Sequence, residues 1–412
     1  MFGTTQFLVA GMLISGVCNT ILNKLQDKQC ISNCDDPTNS EYFEQPVWQT
    51  LNMFIGETMC FVVGYVALLW ESRKAKQTYE PLEPPVALTQ EVSEVEVTDE
   101  YLGPSEDLTG WKVLLFWLPT LCDIMGTTFM NVGLIYTTAS VYQMLRGAVV
   151  LFTGTFSVLF LRKNLYPYHW FSLFLVVLGV SIVGMSSILF PTEKYDATDS
   201  SRILKSSDHP TTIVITSSTV STESTESIIG VFFVLFAQIF TAAQFVIEEK
   251  IMERFRVKPL RAVGLEGIFG LMTVICGMLL LHLLIGISHP GGYFDVLTGF
   301  QQIISFKQIW ISGILICFSI AFFNFFGLSV TRRISATARS TIDTSRIVFI
   351  WIVSLFLGWE AFSWLQVIGF IVLICGTFIF NNVMRPPPCF TVPSAARTNE
   401  NQPLLPEDHE HN

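Results

Sequence analysis

The sequence predicts an all-α integral membrane protein of ten transmembrane helices, arranged as two inverted five-helix repeats. Three observations predict it. Half of the 412 residues are apolar, 35 are phenylalanine and the mean hydropathy is +0.50, outside the range of water-soluble chains. The apolar residues collect into ten stretches of about 20, the length at which a helix crosses roughly 30 Å of hydrocarbon. Polar residues inside those stretches recur in matched pairs between the two halves of the chain.

The stretches fall at 5–24, 47–70, 111–133, 138–161, 167–189, 228–251, 262–286, 307–330, 336–358 and 362–383. The first, "MFGTTQFLVAGMLISGVCNTILNK", has neither a basic leading segment nor a cleavage site, so it reads as a spanning helix and not as a signal peptide. The chain then divides into a first repeat, 1–189, a Ser/Thr-rich lumenal loop, 190–227, a second repeat, 228–384, and a disordered cytosolic tail, 385–412. An acidic, proline-containing linker at 72–110 interrupts the first repeat on the cytosolic side. Basic residues favour that orientation. Arg73, Lys74, Arg162, Lys163, Arg254, Arg256, Arg332 and Arg333 all fall in the even-numbered loops, which places both termini in the cytosol.

The net charge of −10 arises outside the spans, in residues 80–107, 193–226 and 398–410, and argues against nucleic acid as a partner. The nine cysteines form no C-x-x-C pair and no His/Cys cluster, so neither a metal site nor a cofactor is expected. Cys30 and Cys34 share one polar lumenal loop and are a candidate disulfide. In the tail, "RTNENQPLLPEDHEHN" sets Glu400 four residues before the Leu404-Leu405 pair. This is the pattern of an acidic dileucine sorting signal read by clathrin adaptors, and it points to a lysosomal or endosomal membrane.

Repetition supplies the architecture. In "SVYQMLRGAVVLFTGTFSVLFLRKNLYPYHWFSLFLVVLGVSIVG" and "STIDTSRIVFIWIVSLFLGWEAFSWLQVIGFIVLICGTFIF", Ser140, Arg146 and Phe156 match Ser340, Arg346 and Phe356. Glu57 follows Gly56, while Glu266 lies between Gly264 and Gly267. Asp123 stands three residues before Gly126, and Asn324 three before Gly327. Each half has an odd number of spans, so its counterpart enters the bilayer from the opposite face, as in many secondary transporters.

The passages "SVYQMLRGAVVLFTGTFSVLFLRKNL", "EEKIMERFRVKPLRAVGLEGIFG" and "LFLGWEAFSWLQVIGFIVLICGTFIFN" resemble the drug/metabolite transporter superfamily, and within it the nucleotide-sugar-transporter-like solute carrier family 35, subfamily F. The likeness covers residues 5 to 384 and leaves out the acidic linker and the Ser/Thr-rich loop. It implies alternating access around a central cavity and leaves the solute open among nucleotide sugars, amino acids and peptides.

A guanidinium in hydrocarbon costs from ~3 to more than 10 kcal/mol, so Arg146 and Arg346 should face the bundle interior. There each either pairs with an acid such as Asp123 or Asp343, or projects into a cavity and holds a carboxylate or phosphate in a bidentate fork. Gln143, Tyr142, Asn324 and Asp343 are the accompanying polar contacts for a solute. Glu57, Glu266 and Asp123 are candidate proton carriers, because a carboxyl among apolar walls and nearby arginines is open to titration; the alternative for each is helix packing. No nucleophile, base or metal constellation suggests an enzyme. The expected function is a secondary transporter of a small polar or anionic organic solute, embedded in the lipid bilayer, with a homodimer as a candidate assembly. A non-transporting scaffold or receptor with the same fold is the alternative.

Overall fold

The computed structural model describes residues 2–32, 34, 41–43, 45–78, 106–136, 142, 145–189, 217–288, 292, 295–358 and 362–387. The first half contributes α1 (Phe2–Asp27), α2 (Pro46–Thr78), α3 (Trp117–Tyr136), α4 (Val149–Phe160) and α5 (Pro167–Leu189). The second contributes α6 (Ser217–Arg254), α7 (Pro259–Leu284), α8 (Val296–Ser305), α9 (Lys307–Arg333), α10 (Ala336–Phe356) and α11 (Trp364–Phe380). Proline opens α2, α5 and α7, where its missing N–H leaves no bond unmade. Ser335 caps α10 by accepting a bond from the Ala338 N–H at 3.0 Å.

Among the described residues, six helical segments are long and apolar enough to cross a membrane: Gly3–Asp27, Gly110–Gly133, Pro167–Met185, Ile228–Arg254, Pro259–Leu284 and Lys307–Arg333. Helices α4 and α11 are apolar but shorter. Helix α10 is less apolar because Arg339, Asp343 and Arg346 lie within it.

Three expectations need correction. The described residues hold eleven α-helices where ten were expected, the addition being α8. Its 10 residues rise only ~15 Å, too little to span, and Asp295 nucleates it by accepting bonds from the Thr298 N–H and hydroxyl. Leu297, Phe300 and Ile304 share one exposed face of it. Within the fourth span, expected from 138, Gly147 and Ala148 form a turn, and helix α4 follows from Val149. Helix α6 begins at Ser217 and not at 228, because a helix nucleated in the apolar segment propagates cheaply into the Ser/Thr-rich run. The acidic linker between 79 and 105, the tail beyond 387, and with it Glu400, Leu404 and Leu405, lie outside the described residues, as does Gln143.

The most extensive helix pairs are α5 with α11, α3 with α6, α2 with α7 and α1 with α9. Helix α4 packs on α6 and α10, and α10 packs on α1. Glycines permit the closest crossings. A Cβ on Gly267 of α7 would stand 2.4 Å from the Thr58 nitrogen of α2, and one on Gly179 of α5 would stand 2.6 Å from the Leu373 nitrogen of α11. Outside the bundle, β1 (Cys30–Ser32) pairs antiparallel with β2 (Glu41–Tyr42), and Cys30 is disulfide-bonded to Cys34. At another edge β3 (Glu106–Asp107) pairs in parallel with β4 (Phe255–Arg256), over a core of Leu108, Phe116, Met252, Phe255 and Leu328.

Candidate functional site

The sequence places Arg146 in mid-helix. The structure places it at a break. Leu145 and Arg146 are helical, Gly147 and Ala148 form a turn, and the backbone bonds from Ala148 to Leu145 and from Leu151 to Ala148 follow the tighter i to i−3 pattern. Gly147 is required there, since a Cβ would lie 2.8 Å from the Val180 side chain. Interrupted helices of this kind present backbone and side-chain polar groups to the interior of transporters.

Arg146 and Arg346 line one cavity of ≈ 50 Å³, together with Asp343, Gln238, Thr241 and Phe245. Arg346 Nε is 3.2 Å from Asp343 Oδ1, one turn back on α10, and its guanidinium lies 4.9 Å from the Phe323 ring. The Arg146 guanidinium lies 5.8 Å from the Tyr142 ring, whose hydroxyl donates to Met130 Sδ at 3.3 Å. Among the described residues Arg146 has no carboxylate within ion-pair distance, so its charge is directed to the cavity. Asp343 and Tyr142 therefore lie beside the arginines.

Asn324 does not. Its amide donates to Glu57 Oε1 at 2.5 Å, which places it in a second polar group formed by Glu57, Asp123, Glu248 and Glu266 around Arg339. Glu57 and Glu266 meet because Gly267 brings the α7 backbone against the Glu57–Thr58 peptide. Arg339 Nη1 donates to Glu248 Oε2 at 2.5 Å, with the two residues 2% and 0% exposed. The Arg339 guanidinium also covers the Phe245 ring at 4.2 Å. Since Phe245 lines the arginine cavity, the acid cluster and that cavity adjoin. Neither Glu248 nor Arg339 was singled out from sequence. A usable signal existed for the arginine: Arg339, Asp343 and Arg346 are spaced i, i+4 and i+7, one stripe along α10.

At one end the bundle is closed by charge. Lys163, after α4, pairs with Glu249 and with Glu253 of α6, and Glu249 Oε2 accepts a bond from the Ala336 N–H at the start of α10. A larger cavity of ≈ 240 Å³ lies elsewhere, among Gln26, Trp48, Asn52 and Trp310, but the amides of Gln26 and Asn52 are occupied by the carbonyls of Ile309 and Gly313. The charged groups therefore make the smaller cavity the candidate site. No group of three or more His, Cys, Asp or Glu side chains among the described residues is placed to hold a metal ion.

Comparison with known proteins gives a consistent picture. Residues 89–381 match a family model described as nucleotide-sugar transporter. The chain is 34% identical over 384 residues to solute carrier family 35 member F6 of Rattus norvegicus, covering 92% of this chain and 89% of the relative. The Homo sapiens protein of that name is 35% identical over 389 residues, with the same coverage. An uncharacterized protein of Schizosaccharomyces pombe is 34% identical over 381 residues, covering 91% of this chain and 97% of the relative. A crystal structure sharing 11% identity superposes with a TM-score of 0.54, over 93% of this chain and 99% of that one, which is a likeness of fold alone.

Replacing Arg339 by Met leaves Glu248 without its cation. Removing one partner of a buried ion pair costs about 3–5 kcal/mol, so R339M should melt well below the parent in thermal unfolding of the detergent-purified protein. The double variant R339M/E248Q should recover part of that loss.

Proposed function

The chain belongs to the nucleotide-sugar transporter family, in solute carrier family 35, subfamily F, and on that premise we propose that it is a secondary transporter moving a small polar organic solute by alternating access. The family is one of multi-pass membrane transporters and not of enzymes. The nucleotide-sugar, amino-acid and peptide classes are the solutes considered. The observation that carries the reading is that Arg146 and Arg346, matched residues of the two halves, share one cavity.

Ten crossing helices in two inverted repeats, with α8 as an insertion in the second, are supported by the pattern of helix contacts. Exchanging the halves pairs α1 with α6, α2 with α7, α3 with α9, α4 with α10 and α5 with α11. Under that exchange the contacts α2–α7, α4–α10 and α5–α11 map onto themselves, while α3–α6 becomes α9–α1. Matched residues meet as such an axis requires: Glu57 lies against Glu266, and Asn324 bonds Glu57 as Asp123 neighbours Glu266. In this reading Lys163, Glu249 and the start of α10 form the cytosolic gate, and both termini are cytosolic. The Cys30–Cys34 disulfide supports an oxidising, lumenal setting for the loop after α1.

Glu57, Glu266 and Asp123 are proposed to couple flux to protons, and Glu400, Leu404 and Leu405 to direct the protein to lysosomal or endosomal membranes through adaptors. Arg146, Arg346, Tyr142, Gln143 and Asp343 are proposed to contact the solute.

Three outcomes follow from this assignment. In proteoliposomes assayed by counterflow of radiolabelled nucleotide sugars, amino acids, dipeptides and amines, R146A should lower exchange at least about tenfold, one charged contact's worth, while its melting temperature stays near the parent's; exchange at the parental rate removes Arg146 from the solute site. E57Q should flatten the pH profile of uptake, and an unchanged profile excludes Glu57 as a proton carrier. Replacing Leu404 and Leu405 by Ala should raise the cell-surface fraction measured by biotinylation, and an unaltered distribution rules out the sorting signal.

A further inference from the structure

Among the described residues, eight ionisable groups lie inside the bundle. Five carboxyl groups, on Glu57, Asp123, Glu248, Glu266 and Asp343, stand against three guanidinium groups, on Arg146, Arg339 and Arg346. These eight groups form one electrostatically connected set. Glu57 interacts with Asp123, Glu248 and Arg339; Glu266 interacts with all four; Arg346 interacts with Asp343, Arg146 and Arg339. In surroundings of low dielectric, charges separated by several ångströms still interact by kilocalories, so the charge of an arriving solute is felt by the whole set.

The hydrogen-bonding atoms give an independent indication. Buried polar atoms are normally paired, and the exceptions mark a missing partner. In this set three carboxylate oxygens have no hydrogen-bond partner: Glu248 Oε1, Glu266 Oε1 and Asp343 Oδ1. Asp343 Oδ1 is close to Arg346 Nε but not aligned with it for a hydrogen bond. Among the donors of this set sealed from solvent, Arg339 Nε is unpaired. The side chains of Glu248 and Glu266 are 0% and 5% exposed, so bulk water does not reach them freely. The missing partner is therefore a donor-rich group. An ammonium supplies the N–H groups that these oxygens lack.

Aromatic rings in the pathway are already arranged for cations. Phe245, Phe323 and Tyr142 each carry a guanidinium at 4.2, 4.9 and 5.8 Å from the ring centre. A cationic head arriving beside them meets faces suited to positive charge.

We propose that the transported solute bears a protonated amine, as an organic cation or an amino-acid-like zwitterion, and that Glu248 and Glu266 receive its ammonium group. A zwitterion sets its carboxylate towards Arg146 and Arg346 in the adjoining cavity. A nucleotide diphosphate sugar brings no ammonium group to these oxygens. The inference deepens the transport reading above and rests on it for the word cargo, but its binding test stands apart.

That test is thermal unfolding of the full-length, detergent-purified protein with added putrescine, ethanolamine, lysine and alanine, set against UDP-glucose, UMP and succinate at matched ionic strength. A ligand that prefers the folded state raises its melting temperature. At least one amine should raise it more than any of the anions, and E266Q, which breaks no ion pair among the described residues, should shift that probe's midpoint concentration upward by about tenfold or more. E248Q should do the same; if it fails to fold through loss of the partner of Arg339, E266Q alone decides. The proposal is overturned by stabilisation from the anions alone, by no stabilisation from any probe, or by an amine response that E266Q leaves unchanged. Counterflow of a nucleotide sugar in proteoliposomes overturns it while leaving transport in place. Amine binding without flux of any solute overturns the transport reading and leaves the amine site standing.

Discussion

Arg339 and Glu248 face each other at 2.5 Å in a part of the bundle that water does not wet, and much of the surrounding structure is arranged to make that contact tenable. A permanently charged guanidinium stays in such surroundings only with a partner of opposite charge and a place for its planar bulk. Gly327 of α9 provides the place, since a Cβ there would stand 2.9 Å from Arg339 Nε. Phe245 covers the guanidinium on one face, and Gln244 hydrogen-bonds Glu248. Helices α6, α9 and α10 are thereby held together by one ion pair, and the remaining acids are grouped around it.

From this pair a polar stripe runs up α10 through Asp343 to Arg346 and so to the cavity that also receives Arg146. Helix α10, with its three charged residues, is thus enclosed by α1, α4, α6, α9 and α11. Its charges are tolerated because its neighbours, and not lipid, surround them. The same enclosure joins the acid cluster to the arginine cavity, so the two polar groups act as one electrostatic environment for whatever enters.

Much of this was legible in the sequence, and what was not has identifiable causes. Span positions follow from hydrophobic length, which one chain displays directly. The matched pairs around Glu57, Glu266, Asp123 and Asn324 survived as spatial neighbours because a repeated sequence folds into repeated contacts. Glu248 was hidden because it sits beside Glu249 near a helix end, where acids usually face water. Arg339 was hidden because it lies in the first turn of α10, where a basic residue reads as flanking charge; only tertiary contact places it inside. Helix α8 was missed because 10 residues carry too little apolar length to register as a span. The turn after Arg146 was missed because Gly147 serves equally well as a packing glycine, and the choice between the two roles is made by Val180 across the interface. The position of Cys30 and Cys34 in one short loop was enough to indicate their bond.

At Gly267 the main chain of α7 rests directly on the main chain of α2, with no side chain between them. A slip of one residue along either helix would bring Glu266 or Ile268 opposite Thr58, and neither fits the space that a missing Cβ leaves. Gly264 and Gly270, each about one turn away, approach Phe61 and Phe54 of α2 as closely, so the seam is keyed at three successive points. Sliding is blocked along it, and α2 and α7 behave as one stiff strut beside the acid cluster.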